Sequence, residues 1–259
     1  MTWQAGLTGF LAGLLLSIIT APVGVSGAVF LLPVQLSVLH VPSPAVTPTN
    51  LLFNVVAGPG ALVRYRRNGR LTGPLARLLI AGTLPGVVLG ALIRVFALPG
   101  PRAFRLVAAA VLLPLGLWLC ARALRPGMPD RAPLARPTIL GLSLVVGTVG
   151  GVYGIGGGSL LGPILAGRGT PMTTLAPAAL TATFVTSVAG ATTYGILALT
   201  SSGDIAPHWT LGLLCGAGGL IGGYLGARLQ PRLPEAALRL LLGALAIALA
   251  VLYLVQGLA

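Results

Sequence analysis

The sequence contains no lysine, and its acidic residues are only three: Asp130, Asp204 and Glu235. Histidine and cysteine occur twice each, as His40, His208, Cys120 and Cys215. Catalysis within a membrane needs a Ser/His pair, paired carboxylates or a metal cluster. No histidine or acidic residue lies deep in an apolar run, so an intramembrane enzyme is disfavoured, and neither a metal nor a cofactor is called for. The isolated cysteines, both inside apolar runs, read as small packing residues rather than a disulfide. His40 and His208 sit at turns and read as membrane-edge residues rather than proton shuttles.

Aromatic residues are also scarce, at 5%. The formal net charge of +13 could suggest nucleic acid, but there is no aromatic-rich basic face on which bases could stack. Every basic residue is an arginine, and most fall between apolar runs, as in the cytoplasmic loops of membrane proteins. Charged residues make up 7% of the chain and hydrophobic ones 56%, with a mean hydropathy of +0.98. Several apolar runs reach the ~20 residues a membrane crossing needs. These features specify an all-α, multi-pass protein whose partner is the lipid bilayer. The stretch Met1 to Thr20 lacks the basic region of a secretion signal and is expected to remain as a membrane segment. Trp3, Trp118 and Trp209, near segment ends, read as interface anchors.

Two glycine-rich interruptions organise these runs. The stronger is Tyr153-Gly154-Ile155-Gly156-Gly157-Gly158-Ser159-Leu160-Leu161-Gly162-Pro163, and a weaker copy is Gly24-Val25-Ser26-Gly27-Ala28-Val29-Phe30-Leu31-Leu32-Pro33. Each glycine costs about 1 kcal/mol against alanine inside a helix, and unwound backbone in a bilayer is tolerated only where protein or a water-filled cavity satisfies it. Corresponding breaks in two halves point to a transporter's binding site. Gly154-Ile155-Gly156 also begins like a dinucleotide fingerprint, but Ser159 replaces the last glycine and no βαβ context surrounds it.

The flanking runs predict segments at about 3–20, 28–39, 45–63, 75–98 and 103–123, then 137–152, 159–167, 173–199, 208–229 and 233–255. That is about eight long or ten total membrane segments. Arg64, Arg66, Arg67 and Arg70 are expected in a loop, and Asp130, Asp204 and Glu235 likewise. Leu124 to Arg136, basic and proline-containing, is the linker between a repeat at residues 1–123 and another at 137–259. Leu220–Ala227 echoes Leu84–Ala91, and Leu238-Arg239-Leu240 echoes Phe104-Arg105-Leu106. Gly82, Gly86 and Gly90, like Gly218, Gly222 and Gly226, carry the small-residue spacing that lets helices approach closely in lipid. Such faces pack helices within one chain or between chains, which leaves a homo-oligomer open. If each half crosses an odd number of times, only Arg94, Arg102 and Arg105 fall on one side and all other arginines on the other. A parallel arrangement would split them almost evenly. The bias predicts inverted repeats, a cytoplasmic linker and both termini outside.

The motif from Gly154 to Pro163, followed by Ala178-Ala179-Leu180-Thr181-Ala182-Thr183-Phe184-Val185-Thr186-Ser187-Val188-Ala189-Gly190, resembles the TauE/SafE family of sulfite and sulfonate permeases. Gly60-Ala61-Leu62 leading into Arg67-Asn68-Gly69-Arg70 resembles that family's first repeat, and the resemblance covers nearly the whole chain. The chain departs from the family pattern at Val25-Ser26, at Ala28 and at Thr47-Pro48-Thr49-Asn50. The resemblance implies transport of sulfur-containing or organic anions across the bacterial inner membrane.

An anion needs electrostatic stabilisation in a low-dielectric membrane. The helix starts at Gly27-Ala28 and Gly157-Gly158-Ser159 offer free N–H groups and dipole ends, each contributing about 0.3 to 2 kcal/mol. The site is expected to comprise Gly24, Ser26, Gly27, Asn50, Asn54, Gly156, Gly157, Gly158, Ser159, Thr183 and Ser187, with no buried arginine. Thr49, Thr181 and Thr186 are further donor candidates. Each hydroxyl also has a structural reading: bonding back to its own helix, or capping the helix after a break. No carboxylate lies within a span to relay a proton or cation, which favours export, driven by about 2.3 kcal/mol per charge per 100 mV. A passive anion channel built from two half-helices would look similar, and a membrane scaffold with no transport role is the remaining alternative.

Overall fold

The computed structural model describes residues 3–67, 73–97, 101–124, 134–166, 170, 172–200, 205–232 and 234–258. The first apolar run forms helix α1 (Trp3–Thr20) and stops where the sequence breaks it. Ala21–Val23 tighten into one 3₁₀ turn, and Gly24 adopts a left-handed φ of 72°, a conformation that penalises any residue with a Cβ. The chain then doubles back. Helix α2 (Ala28–Pro33) continues through a π-helical turn, Val34–Val38, and Leu39 returns to the level of Gly9 on α1. His40 follows with φ 51°, the one left-handed non-glycine among the described residues.

Helix α3 (Ser43–Arg67) is longer than the sequence predicts. Arg64, Arg66 and Arg67 lie in its last turn, where the carbonyl end of the helix dipole favours cations. Helices α4 (Pro74–Phe96) and α5 (Pro101–Leu124) complete this half. The second half has the same order: α6 (Arg136–Tyr153), the break, α7 (Gly158–Ala166), α8 (Met172–Thr200), α9 (Trp209–Leu229) and α10 (Glu235–Leu258). Among the described residues there are ten α-helices and no strand, and five helices are long and apolar enough to cross a membrane. Leu7, Leu11 and Leu15 on α1 and Leu213, Leu220 and Ile221 on α9 are exposed, an apolar surface suited to lipid.

Several charged residues differ from expectation, among them Arg64, Arg66 and Arg67, which end α3 instead of lying in a loop. Glu235 is the first residue of α10 rather than part of a loop. Arg94, in the last turn of α4, is 2% exposed, in contrast to the expectation of no buried arginine. Asp130, Asp204, Arg70 and most of the expected linker lie outside the described residues.

Glycine determines which helices meet. On α9, Gly218, Gly222 and Gly226 face the carbonyls of Phe10, Leu14 and Ile18 in turn, so α1 and α9 run parallel. On α4, Gly82, Gly86 and Gly90 face Leu140, Leu144 and Thr148, so α4 and α6 do the same. Helices α3 and α9 are also parallel, with Leu52 against Gly212 and Val56 against Gly216. In contrast, α3 and α8 cross antiparallel, with Leu51 against Gly190 and Gly58 against Phe184. Helices α5 and α10 are likewise antiparallel, with Gly116 against Ile247 and Cys120 against Gly243.

A Cβ at Gly222 would sit 2.2 Å from the Leu14 carbonyl oxygen, and one at Gly86 2.4 Å from that of Leu144. Gly141 and Gly195 face open space. Gly86→Ala and Gly222→Ala are expected to destabilise by about 1 to 3 kcal/mol through forced helix separation. Gly141→Ala and Gly195→Ala should be neutral or stabilising by up to about 1 kcal/mol. Melting temperatures of the four detergent-purified variants check this, and equal losses in all four would contradict it.

Candidate functional site

Each break is pressed against the long helix of the opposite half. A Cβ on Gly24 would lie 2.6 Å from Ala176 Cα at the start of α8, and one on Gly154 2.3 Å from the Thr47 carbonyl oxygen at the start of α3. The chain can approach this closely only because both positions lack a side chain. Gly154 and Gly156, at φ 69° and 71°, also need glycine for their left-handed backbone.

Crossing α3 and α8 over the breaks delivers polar side chains to the unwound backbone. Asn50 Nδ2 donates to the Ala28 carbonyl at 2.9 Å and lies 3.5 Å from the Tyr153 carbonyl oxygen, so one amide spans both breaks. One turn later, Asn54 Nδ2 donates to the Gly154 carbonyl at 3.3 Å, and its Oδ1 accepts from the Ser26 hydroxyl. From α8, Thr186 Oγ1 accepts the Gly157 N–H at 3.0 Å, and Thr183 Oγ1 lies 3.2 Å from Ser159 Oγ. The breaks also bond each other directly, Ser26 N–H donating to Ser159 Oγ at 3.3 Å. Ser26 Oγ caps its own short helix by accepting the Ala28 N–H at 3.1 Å.

The N–H groups of Ala28 and Gly157, expected to be free for an anion, are therefore held by hydroxyl oxygens, as is that of Ser26. The reason is physical: a buried amide out of reach of water must find a protein partner. The hydroxyls of Ser26, Ser159 and Thr186 are those partners. A hydroxyl both donates and accepts, and these three already donate, Ser26 to Asn54 Oδ1, Ser159 to the Ile155 carbonyl and Thr186 to the Ala182 carbonyl, so an oxyanion would bind them only by displacing those bonds.

The expected residues are not equally placed. Ser26, Gly27, Asn54 and Thr183 border a cavity of about 30 Å³, room for roughly two waters. Phe53 and Phe184 are part of its apolar wall, and admitting an ion the size of sulfite requires that wall to open. Gly24, Asn50, Gly156, Gly157, Gly158, Ser159 and Ser187 do not line the cavity. Ser187 Oγ is 2.8 Å from where a Gly156 Cβ would be and has no hydrogen-bond partner among the described residues. Thr49 and Thr181 belong elsewhere. Thr49 Oγ1 donates to Ala45 and accepts the His208 N–H at 2.8 Å, and Thr181 bonds back to Pro177 at 2.7 Å.

Two residues escaped the sequence reading. Thr20 lines the cavity with a buried hydroxyl that has no partner among the described residues; its position immediately before the first break was the available signal. Arg94 Nε donates to Thr47 Oγ1 at 3.4 Å, and Thr47 Oγ1 donates to the Val152 carbonyl at 3.1 Å. A guanidinium is thus linked through Thr47 to the backbone just before the second break, and the signal was its place within the fourth apolar run.

A family model described as Sulfite exporter TauE/SafE matches residues 9–253. No curated protein and no solved structure matches the chain.

Ser187→Ala removes a buried, unpartnered hydroxyl, so it should leave the melting temperature unchanged or raise it slightly. Asn54→Leu strips partners from Gly154 and Ser26 and should cost about 1 to 3 kcal/mol. Thermal melts of both variants test this, and a large loss in Ser187→Ala would show that its hydroxyl is a structural tie.

Proposed function

Because the chain belongs to the sulfite exporter TauE/SafE family, whose members are membrane transporters, we propose that it carries a small sulfur oxyanion, sulfite or a sulfonate, outward across the bacterial inner membrane. One observation supports this most: two helix breaks meet at a shared cluster of hydroxyls and side-chain amides, with a cavity against Ser26, Asn54 and Thr183. Hydroxyl and amide donors are a suitable shell for an oxyanion. None of the described residues around the cluster is a carboxylate that would repel it.

The packing supports inverted repeats at residues 1–123 and 137–259. Equivalent helices cross antiparallel, α3 with α8 and α5 with α10, while α1 on α9 and α6 on α4 form matching parallel pairs. The return of α2, if repeated by α7, would give each half an odd number of passes. With Arg64, Arg66 and Arg67 at the end of α3, the positive-inside rule puts that end and the linker in the cytoplasm and both termini outside. Arg94 adds a buried positive charge in the last turn of α4, and its field lowers the barrier to a passing anion.

A ligand at about 100 times its dissociation constant stabilises by about 2.7 kcal/mol. Sulfite, thiosulfate, sulfoacetate, taurine, sulfate, chloride and a neutral sugar should be compared at equal ionic strength by thermal shift. A selective shift with one sulfur oxyanion, diminished in Asn54→Leu and Ser187→Ala, is the expected result. In proteoliposomes, efflux of that anion should saturate, show counter-stimulation and respond to voltage without sodium or a proton gradient. Strict cation dependence would overturn export, and unsaturable flux would indicate a channel.

A further inference from the structure

The two long helices that cross at the breaks each carry a buried tyrosine about three helical turns beyond the crossing, at opposite ends of the antiparallel pair. Pro48 and Pro177 set a common register for α3 and α8, and in it Asn54 falls on Thr183 and Tyr65 on Tyr194. Both tyrosines make the same bond. Tyr65 Oη is 3.2 Å from the Ala21 carbonyl oxygen, and Tyr194 Oη donates to the Gly151 carbonyl at 3.0 Å. Ala21 and Gly151 occupy equivalent places, just upstream of the left-handed Gly24 and Gly154. Each phenol therefore ties the far end of a long helix to the edge of a break.

An apolar plug surrounds each tie. Tyr65 packs with Ala21, Ala61, Ala176, Leu180 and Ala227, and Tyr194 with Leu51, Ala91, Leu197 and Ile205. The Leu84–Ala91 and Leu220–Ala227 echo makes Ala91 the counterpart of Ala227, and it carries Arg94 onto Gln230. Here the ends differ. Gln230 Oε1 lies 3.2 Å from Tyr65 Oη, and its Nε2 donates to the Pro22 carbonyl at 2.7 Å. At the other end Arg94 stands beside Tyr194 and Tyr153 and bonds Thr47. The cavity beside Ser26 and Asn54 reaches Ala21, Ala61 and Leu180 of the Tyr65 plug and no member of the Tyr194 plug.

We propose that Tyr65 and Tyr194 are the two gate latches of the transport path, and that Arg94 is the specificity-determining residue that makes the Tyr194 gate respond to a bound anion. The proposal rests on the transporter reading. One latch must hold while the other yields, and the same bond at both ends lets each plug close by the same move. The amide at one end and the guanidinium at the other make the ends chemically unequal. An anion leaving the break cluster towards Tyr194 meets a cation, and one leaving towards Tyr65 meets a neutral amide.

The test uses the full chain in proteoliposomes, with Cys120→Ala, the buried Cys215 as baseline, and one reporter at a time, Ala227→Cys or Ala91→Cys. A membrane-impermeant thiol reagent reads the opening of each plug. Tyr65→Phe should speed labelling at Ala227→Cys about two- to tenfold and leave Ala91→Cys unchanged or slower, and Tyr194→Phe should do the reverse. Equal acceleration at both reporters, or none, would overturn the latches. Sulfite should change labelling at Ala91→Cys, and Arg94→Gln, which copies the opposite gate, should abolish that response while Arg94→Lys retains it. A response surviving Arg94→Gln, or lost equally in Arg94→Lys, would overturn the role of Arg94. The tyrosine arm needs no substrate, so it stands or falls apart from the transporter reading, which fails if no anion alters labelling or stability.

Discussion

A helix that unwinds inside a bilayer strands its amides and carbonyls away from water, and each of those groups must be paired by protein. Most other features of this molecule follow from that constraint. Two breaks are laid against each other, and two long helices are brought across them to supply Asn50, Asn54, Thr183 and Thr186. The approach is close enough only because Gly24 and Gly154 present bare backbone to Ala176 and Thr47. In the proposed transport of an oxyanion, the hydroxyls that satisfy the stranded amides would be its donors, and binding would be an exchange of hydrogen-bond partners rather than the filling of a prepared pocket.

That exchange is energetically plausible because hydroxyl–amide bonds are worth little net, about 0.5 to 1.5 kcal/mol each. A site built from permanent charge would hold the anion more tightly and release it more slowly. Here the permanent charge, Arg94, is displaced from the break cluster and engages Thr47. In the proposed mechanism the strongest electrostatic element would act on passage rather than on residence.

Much of the architecture was legible in the sequence because it is written in glycine and in apolar run length. The limits of α1 at Trp3 and Thr20, the breaks at Gly24 and Gly154, and the stripes Gly82-Gly86-Gly90 and Gly218-Gly222-Gly226 could be read directly. Position across the bilayer was harder to read. Arg94 lies in the last turn of α4, yet its long side chain is buried and reaches Thr47, which run length alone does not reveal. Hydroxyls were the least legible, because Thr49 and Thr186 look alike in sequence. Only the fold shows that Thr49 accepts from His208 and Thr186 from Gly157. Tyr65 and Tyr194 become conspicuous only once α3 and α8 are seen to cross.

The glycine seams of α1 with α9 and of α4 with α6 join the opening helix of each half to the fourth helix of the other. Neither half is therefore a mechanical unit. The packed groups are mixed, one built from α1, α3 and α9 and the other from α4, α6 and α8, and they meet where α3 crosses α8. A chain synthesised from its N-terminus also leaves the bare flank of α1 uncovered in the lipid until α9 emerges. Insertion is then complete only when the last third of the polypeptide arrives to interleave with the first.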